Sequence, residues 1–343
     1  MWYIVFGYGS GLEFAENFCT DALKSLRDFN IQGVIKNNNL MKKITIGVLG
    51  LVLTSAMVWS AASLEIIKQP ESQAVTVGES VTSSVETDVE LAMSMVWCPA
   101  GTFTMGSPSS ELGRESDETL HSVTISHGFW IGKYEVTQAQ YRVVMGSNSS
   151  SFKGDNLPVE EVAWYDAMEF CQKLTEIERA TGRLPENYAY TLPTEAQWEY
   201  ACRAGTTTAL NSGKNVTTAE DEGICDNLDE VGWYWMNGGK KNWNEGKDPA
   251  ICTHPGGQKK PNQWGIYDMH GNVWEWCLDW YGSYPTSPVT DPKGPGTGSY
   301  RVLRGGSWYY GADYCRSAYR GNGRPSGNNL VNIGFRVALV PVQ

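Results

Sequence analysis

The sequence predicts an α+β domain over residues 95–343, poor in regular structure and rich in long loops. Three observations predict it. Only three helix starts can be read along this stretch, each from a capping pattern. Two segments, HSVTISHGFWIGKYEV (121–136) and GFRVALVPV (334–342), read as strands. Residues 205–300 are rich in Gly and Trp and have few periodic elements. The chain holds 14 Trp and 37 Gly, which points to loops held by aromatic clusters rather than a helical bundle. Long ordered loops of this kind carry function or need ligands to hold them.

The helices follow in order. Thr137 with Gln140 opens the first, which continues through Tyr141 and Val144 and stops at Gly146. Asp166, with Glu169 three residues on, opens the second. Ala163, Ala167, Phe170, Cys171, Leu174 and Ile177 give it one apolar face, ending near Gly182. Thr194 with Gln197 opens the third, carrying Trp198 and Ala201 and ending at Gly205.

The segment before the domain reads as a leader. Met41 begins MKKITIGVLGLVLTSAMVWSAAS: a basic start, a short apolar core and small residues at a cleavage position. The apolar core Ile44–Trp59 has 16 residues. A spanning helix needs ~20, so a cleaved signal over 41–62 is favoured above a membrane anchor. No stable span is expected after cleavage. Residues 1–40 then read as an upstream extension from an early start. No Cys follows the core at a lipid-attachment position. Residues 63–94 read as a linker. Within it, IIKQPESQAVTVGESVTSSVE (66–86) resembles the opening strands of an immunoglobulin-like domain, cut short of the seven a sandwich needs. The expected location is secreted, periplasmic or cell envelope. With 27 basic against 38 acidic residues the chain carries −11, which disfavours nucleic acid as a partner.

Several blocks then occur in one order: MVWCPAGTFTMGS (95–107), FWIGKYEVTQAQY (129–141), PVEEVAWYDAMEFCQKL (158–174) and LPTEAQWEYACRAGT (192–206). KKPNQWGIYDMHGNVWEWCLDWY (259–281), RVLRGGSW (301–308), CRSAYR (315–320) and NIGFRVA (332–338) complete the series. In these blocks the chain resembles the formylglycine-generating enzyme, or sulfatase-modifying factor, family. The resemblance implies a C-type-lectin-like α+β fold. It also implies an oxidase that converts a substrate cysteine to formylglycine with molecular oxygen. That chemistry uses copper(I) held by two cysteines five residues apart, just after the GGS motif. Two soft thiolates suit copper(I). Here the first copper position falls on Tyr310 and the second on Cys315. A phenol is a hard donor, so copper is disfavoured as a cofactor and oxidase activity with it. Cys315 reads either as the surviving ligand or, in preference, as a buried structural thiol. Ser307 and Asn332 match positions that line the family's active site.

The resemblance also implies a calcium loop. Asp268 and Glu275 would give side-chain oxygens, and Gly271 and Val273 backbone carbonyls. The alternative is a turn in which Glu275 caps backbone amides. A second such site near Asn227 and Leu228 carries little weight. Seven cysteines follow the signal: 98, 171, 202, 225, 252, 277 and 315. Cys225 and Cys252 flank a Gly- and Lys-rich loop and are the preferred disulfide. Cys202 matches a family cysteine whose partner position is Val337, so that bridge is lost. Cys171 reads as core. The four histidines have no metal spacing. Trp274, Trp276 and Trp280 read as packing residues.

Residues 309–332 are built largely of Tyr, Gly, Asp and Asn around Cys315, Arg316 and Arg320. Tyr gives large contact area at small entropy cost, while Gly and Asn adapt. Tyr309, Tyr310, Asp313, Tyr314, Tyr319, Asn322 and Arg324 are the candidate ligand contacts. The segment resembles the variable tail of diversified lectin-fold proteins encoded with retroelements. Ordinary Gly and Asn turn chemistry is the competing reading. Three functions are thus in view: a binding module for a protein or surface ligand, an active oxidase, or a structural cell-envelope domain.

Overall fold

The computed structural model describes residues 93–219, 223–238, 252–327 and 330–342. The upstream extension, the signal peptide and all of the linker but its last two residues lie outside the described residues. Everything below belongs to the unit Ser80–Gln343.

In chain order the first strands are β1 (Met95–Cys98), β2 (Gly101–Met105), β3 (His121–Ile125), β4 (Phe129–Gly132) and β5 (Tyr188–Thr191). Then come β6 (Gly232–Trp233), β7 (His270–Gly271), β8 (Trp274–Trp280) and β9 (Val289–Thr290). The last are β10 (Arg301–Arg304), β11 (Gly321–Gly323), β12 (Ile333–Gly334) and β13 (Ala338–Pro341). They form four small sheets, ordered β1-β4-β13-β5, β11-β10-β8-β12, β2-β3-β9 and β6-β7. The two strand-like segments read from sequence supply β3, β4 and β13 as expected. Short strands and long connections make this the sparse α+β architecture the sequence predicts.

Three helices start where a side chain can take orphan amides. In α1 (Gln138–Met145), Thr137 Oγ1 accepts from the Gln140 amide at 3.2 Å, and Gln140 Oε1 accepts from the Thr137 amide at 2.9 Å. Gly146 closes it in the left-handed region at φ 78°. In α3 (Glu195–Arg203), Thr194 and Gln197 make the same reciprocal pair. The second helix differs from expectation. It is α2 (Trp164–Ala180), and Asp166 is its third residue rather than its cap. Asp166 reaches back to accept the Ala163 amide at 3.1 Å, so the carboxylate works from inside the first turn. A short helix, α4 (Asp226–Asp229), follows Cys225.

Packing divides into three buried clusters. Tyr141, Phe170, Leu174, Trp276, Phe335 and Val337 form the first, against α1 and α2. Trp198, Ala201, Phe129, Ile131, Met269 and Val302 form the second, around α3. Leu210, Leu228, Tyr234, Ala312, Cys225 and Cys315 form the third. Burying one such Phe or Leu contributes about 1.5–3 kcal/mol.

Buried ion pairs join these clusters. Arg336 grips Glu275 through Nε and Nη2, both at 2.6 Å, while Trp198 Nε1 donates to the same carboxylate at 2.7 Å. Arg336 also donates to the Gly132 and Tyr267 carbonyls at 2.9 and 3.0 Å. Arg304 pairs with Glu199 and donates to the Ser317 and Ala318 carbonyls. Arg316 pairs with Glu118 and Glu111, and Arg320 with Glu195.

All seven described cysteines are free thiols, which corrects the expected Cys225–Cys252 bridge. Cys225 turns inward to the third cluster, where its sulfur accepts from the Thr217 amide and hydroxyl at 3.4 and 3.5 Å. Cys202 lies 3.5 Å from Ser317 Oγ. Val337 packs instead in the first cluster with Cys171. Among the described residues no helix is long and apolar enough to cross a membrane.

Removing the charge of Arg336 tests the ion-pair frame. Arg336→Met strands the Glu275 carboxylate at the centre of the fold, where both partners are fully buried. The expected loss is about 3–5 kcal/mol of unfolding free energy, read as a lower urea midpoint.

Candidate functional site

The C-terminal segment folds into an aromatic array. Ring centroids run from Trp235 to Tyr309 at 5.3 Å, Tyr309 to Tyr310 at 5.9 Å, Tyr310 to Tyr314 at 4.9 Å, and Tyr314 to Tyr319 at 4.9 Å. Trp274 lies beneath, 5.5 Å from Tyr310 and 5.8 Å from Tyr319. Trp308 meets Tyr309 at 5.4 Å and Phe152 at 5.6 Å. Tyr309 is exposed, while Trp274 and Trp308 are buried floor. Backbone bonds fix the rings in place. Trp235 N–H donates to the Tyr310 carbonyl at 3.0 Å, and Tyr310 N–H to the Ser307 carbonyl at 3.1 Å. Asp313 begins its turn in a 3₁₀ helix, Ala312–Cys315, directly beside Tyr314. Of the candidate contacts, the structure brings together Tyr309, Tyr310, Asp313, Tyr314 and Tyr319. Asn322 lies on β11 opposite Val302, and the Arg324 guanidinium stands 6.0 Å over Tyr300. Neither joins the ring array.

Ser307 and Asn332 meet one another. Asn332 Nδ2 donates to Ser307 Oγ at 3.3 Å, and that oxygen also accepts the Tyr309 amide at 3.3 Å. Both are buried, and their effect is to hold the turn that presents Tyr309. Cys315 is wholly buried, and burial pushes its thiol far above the ordinary value. Its carbonyl takes a 2.7 Å hydrogen bond from His270 Nδ1. Gly306 sits at φ 73°, and a Cβ there would meet Cys315 Sγ at 2.6 Å. Only glycine allows that approach. Tyr310, at the first copper position, belongs to the ring array. Cys225 is the other thiol of the third cluster. Burial raises it, but hydrogen bonds from Thr217 and the amides of Leu228 and Thr218 outweigh that and leave it below the usual thiol value.

The expected calcium loop is a tight turn. Asp268 and Asn272 take φ 56° and 58°, and Gly271 lies between them at 87°. A Cβ on Gly271 would stand 1.9 Å from the Trp233 carbonyl. Asp268 Oδ2 accepts the Gly257 amide at 2.7 Å, whereas its buried Oδ1 has no partner. That orphan oxygen suits a cation. Glu275 does not, since Arg336 and Trp198 already hold its carboxylate. Among the described residues no three or more His, Cys, Asp or Glu converge as a metal site. Of the two carboxylates in the expected set, Asp268 keeps an unpartnered oxygen and Glu275 is held by Arg336 and Trp198. Near it lies an acid that motif matching passed over. Glu135 is buried and accepts from Asn272 Nδ2 at 2.6 Å. Burial first, then the charges of Asp268 and Glu275, push it well up. Its signal was a single carboxylate inside the apolar run FWIGKYEV.

The sulfatase-modifying factor enzyme 1-like domain matches residues 81–340. The chain belongs to the sulfatase-modifying factor, or formylglycine-generating enzyme, family. Chaperone protein LppX of Paenibacillus barcinonensis is 38% identical over 232 residues, covering 58% of this chain and 76% of that protein. The formylglycine-generating enzyme of Streptomyces coelicolor is 35% identical over 215 residues, covering 61% of this chain and 60% of that one. Among solved structures, Treponema denticola variable protein 1 superposes with a TM-score of 0.58 at 33% identity, over 71% of this chain and 94% of that chain. Family membership fixes the fold, while the relatives' names differ in what they imply for the site.

Two buried acids near this region carry raised pKa values. Burial pushes Asp279 up to about 7, aided by Glu195. Glu160, whose Oε1 accepts the Phe152 amide, is pushed up to about 7 chiefly by burial. The folded state keeps protons that the unfolded chain releases near pH 4, so stability falls as pH rises from about 4 to 7. Urea unfolding at pH 5 is expected to show a larger free energy than at pH 8. Asp279→Asn should flatten that slope by an amount on the order of 2–4 kcal/mol.

Proposed function

We propose that this chain is an exported, non-oxidising member of the sulfatase-modifying factor family that binds a protein or surface ligand through its tyrosine face. One observation carries the reading: Tyr310, at the position of the first copper thiolate, packs into the ring array with Tyr309, Tyr314 and Trp274. The residue that would make the oxidase thus builds the face. Ser307 and Asn332, expected in the oxidase site, support the same turn. Tyr-rich surfaces bind by rigid contact area at small entropy cost. The likeness to a protein named for its variability supports the reading. Export rests on the leader read at Met41. Calcium fits as a stabiliser: the unpartnered Asp268 oxygen would hold the ion, with carbonyls of the 268–273 turn completing the set, and no chemistry passes through it.

The oxidase is the second reading, and one observation favours it. Cys225 stands in the same buried cluster as Cys315 and is a second thiol donor from another part of the chain. The test separates the two. Copper(I)-loaded protein is incubated with oxygen and a peptide carrying a C-x-P-x-R motif, and aldehyde is scored by mass spectrometry. No turnover is expected. Oxygen-dependent turnover that disappears in Cys225→Ser would replace the binding reading with the oxidase. In parallel, calcium at pH 7.5 should raise the melting temperature of the native chain and leave Asp268→Asn unchanged.

A further inference from the structure

We infer that this chain pairs with a second copy of itself, edge to edge through β1, in an antiparallel two-fold contact. The contact uses none of the residues of the tyrosine face and stands apart from the binding reading above. β1 is an edge of the sheet ordered β1-β4-β13-β5. Lys133 N–H donates to the Ser94 carbonyl at 2.8 Å, and Gly132 N–H donates to the other side, to the Val337 carbonyl at 2.8 Å. These two bonds fix the phase of the ladder. The backbone groups of Ser94, Val96 and Cys98 face β4, and those of Met95 and Trp97 face outward. Among the described residues these outward N–H and C=O groups have no partner.

Natural sheet edges are guarded by charged side chains, proline or a bulge. β1 reads MVWC in unbroken register with β4 and has none of these; its shortness is its one guard. No strand of this sheet carries an Asp, Glu, Lys or Arg. Beside the open edge stand two exposed indoles instead. Trp97 and Trp130 are 45% and 38% exposed, with ring centroids 5.2 Å apart. They begin a row that crosses the sheet on one face: Trp97, Trp130, Leu339 and Tyr190.

Three properties select a second copy as the occupant. The outward groups sit at two positions one residue apart, so a two-fold axis at Val96 sets Met95 against the second copy's Trp97, and Trp97 against its Met95. Each outward N–H then meets an outward carbonyl, and the contact is the same from both sides. On the exposed face each Trp97 ring comes to lie beside the other copy's Met95. The residue across β4 from that Met95 is Gly132, which has no side chain to obstruct an indole. Charge supplies the third property. With a net charge of −11 two copies repel one another through most of their surface, and this uncharged edge lets them meet with no acid opposed to an acid. Because the contact uses both open edges at once, it closes at two copies.

The experiment is sedimentation velocity on the full folded chain from about 1 to 300 µM, at about 50 and 300 mM salt, which changes screening. A concentration-dependent passage from one copy to two is expected, and never beyond two. It should strengthen at the higher salt, which relieves the net repulsion. Trp97→Ser should weaken the association by about tenfold. Met95→Pro removes one outward N–H and leaves the bonds to β4 in place, and it too should weaken the association by about tenfold. Tyr165→Ser takes an exposed ring from α2, outside this sheet, and should change nothing. Melting curves confirm that each variant folds. As a second measurement that needs no variant, the Met95 and Trp97 amides of the native chain should exchange with deuterium more slowly at 300 µM than at 1 µM. A chain that stays single at about 300 µM overturns the proposal. So does an association that Trp97→Ser leaves unchanged, one that the higher salt weakens, or one in which those two amides gain no protection.

Discussion

Buried guanidinium–carboxylate pairs hold this domain together. Arg304, Arg316 and Arg336 are fully buried, and each is anchored by a glutamate that is itself buried. With only three helices of eight residues or more among the described residues, ladder hydrogen bonds cannot satisfy most of the backbone. The arginines take over part of that task. Arg336 collects carbonyls from Gly132 and Tyr267, Arg203 from Gly106 and Thr208, and Arg304 from Ser317 and Ala318. A planar fork with five donors can bind a carboxylate and still reach loop carbonyls, which a lysine cannot do. Such pairs gain little net energy over apolar packing, but removing one partner costs a great deal. What they supply here is a fixed position for segments that lack regular structure.

That frame explains why the tyrosine face keeps its shape on a loop. Glu199 ties Arg304 to α3 from one side and Arg203 from the other. Arg304 grips the carbonyls of Ser317 and Ala318, immediately before Tyr319. Arg316 fastens the turn after Tyr314 to the 111–118 loop through Glu118 and Glu111. The backbone beneath the rings at 309, 310, 314 and 319 is thus fixed in part by bonds that those side chains do not make. The residues that hold the frame, Arg316, Ser317, Arg320 and Cys315, point inward and are buried.

The capping boxes at Thr137 and Thr194 were legible because their chemistry is local, three residues apart. Asp166 misled only over which end of the box it filled. The Cys225–Cys252 pairing failed because flanking a loop says nothing about direction, and Cys225 faces the third cluster. Of the candidate contacts, Asn322 and Arg324 share the composition of the face but follow a strand that leads away from the rings. Trp235 and Phe152 complete the array from more than 70 residues away in sequence, a separation that no local pattern spans. Glu135 and Glu275 show the same limit in the acidic loop. A motif match assigns an oxygen donor, whereas only the fold reveals that Arg336 and Trp198 have already taken Glu275.

The exchange of a thiol for a phenol at 310 changes more than one ligand. A cysteine there would be small and need a soft metal to justify its exposure. A tyrosine fills space, and this one bridges Tyr309 to Tyr314 across the Trp274 floor. Its ring joins Trp235, Trp308 and Tyr309 on one side to Tyr314 and Tyr319 on the other. The same position that would decide metal chemistry thus joins the two parts of the aromatic surface. A single site cannot serve both demands, because a phenol at 310 is a hard oxygen donor and gives Cys315 no thiolate partner from the position where copper(I) chemistry would need one.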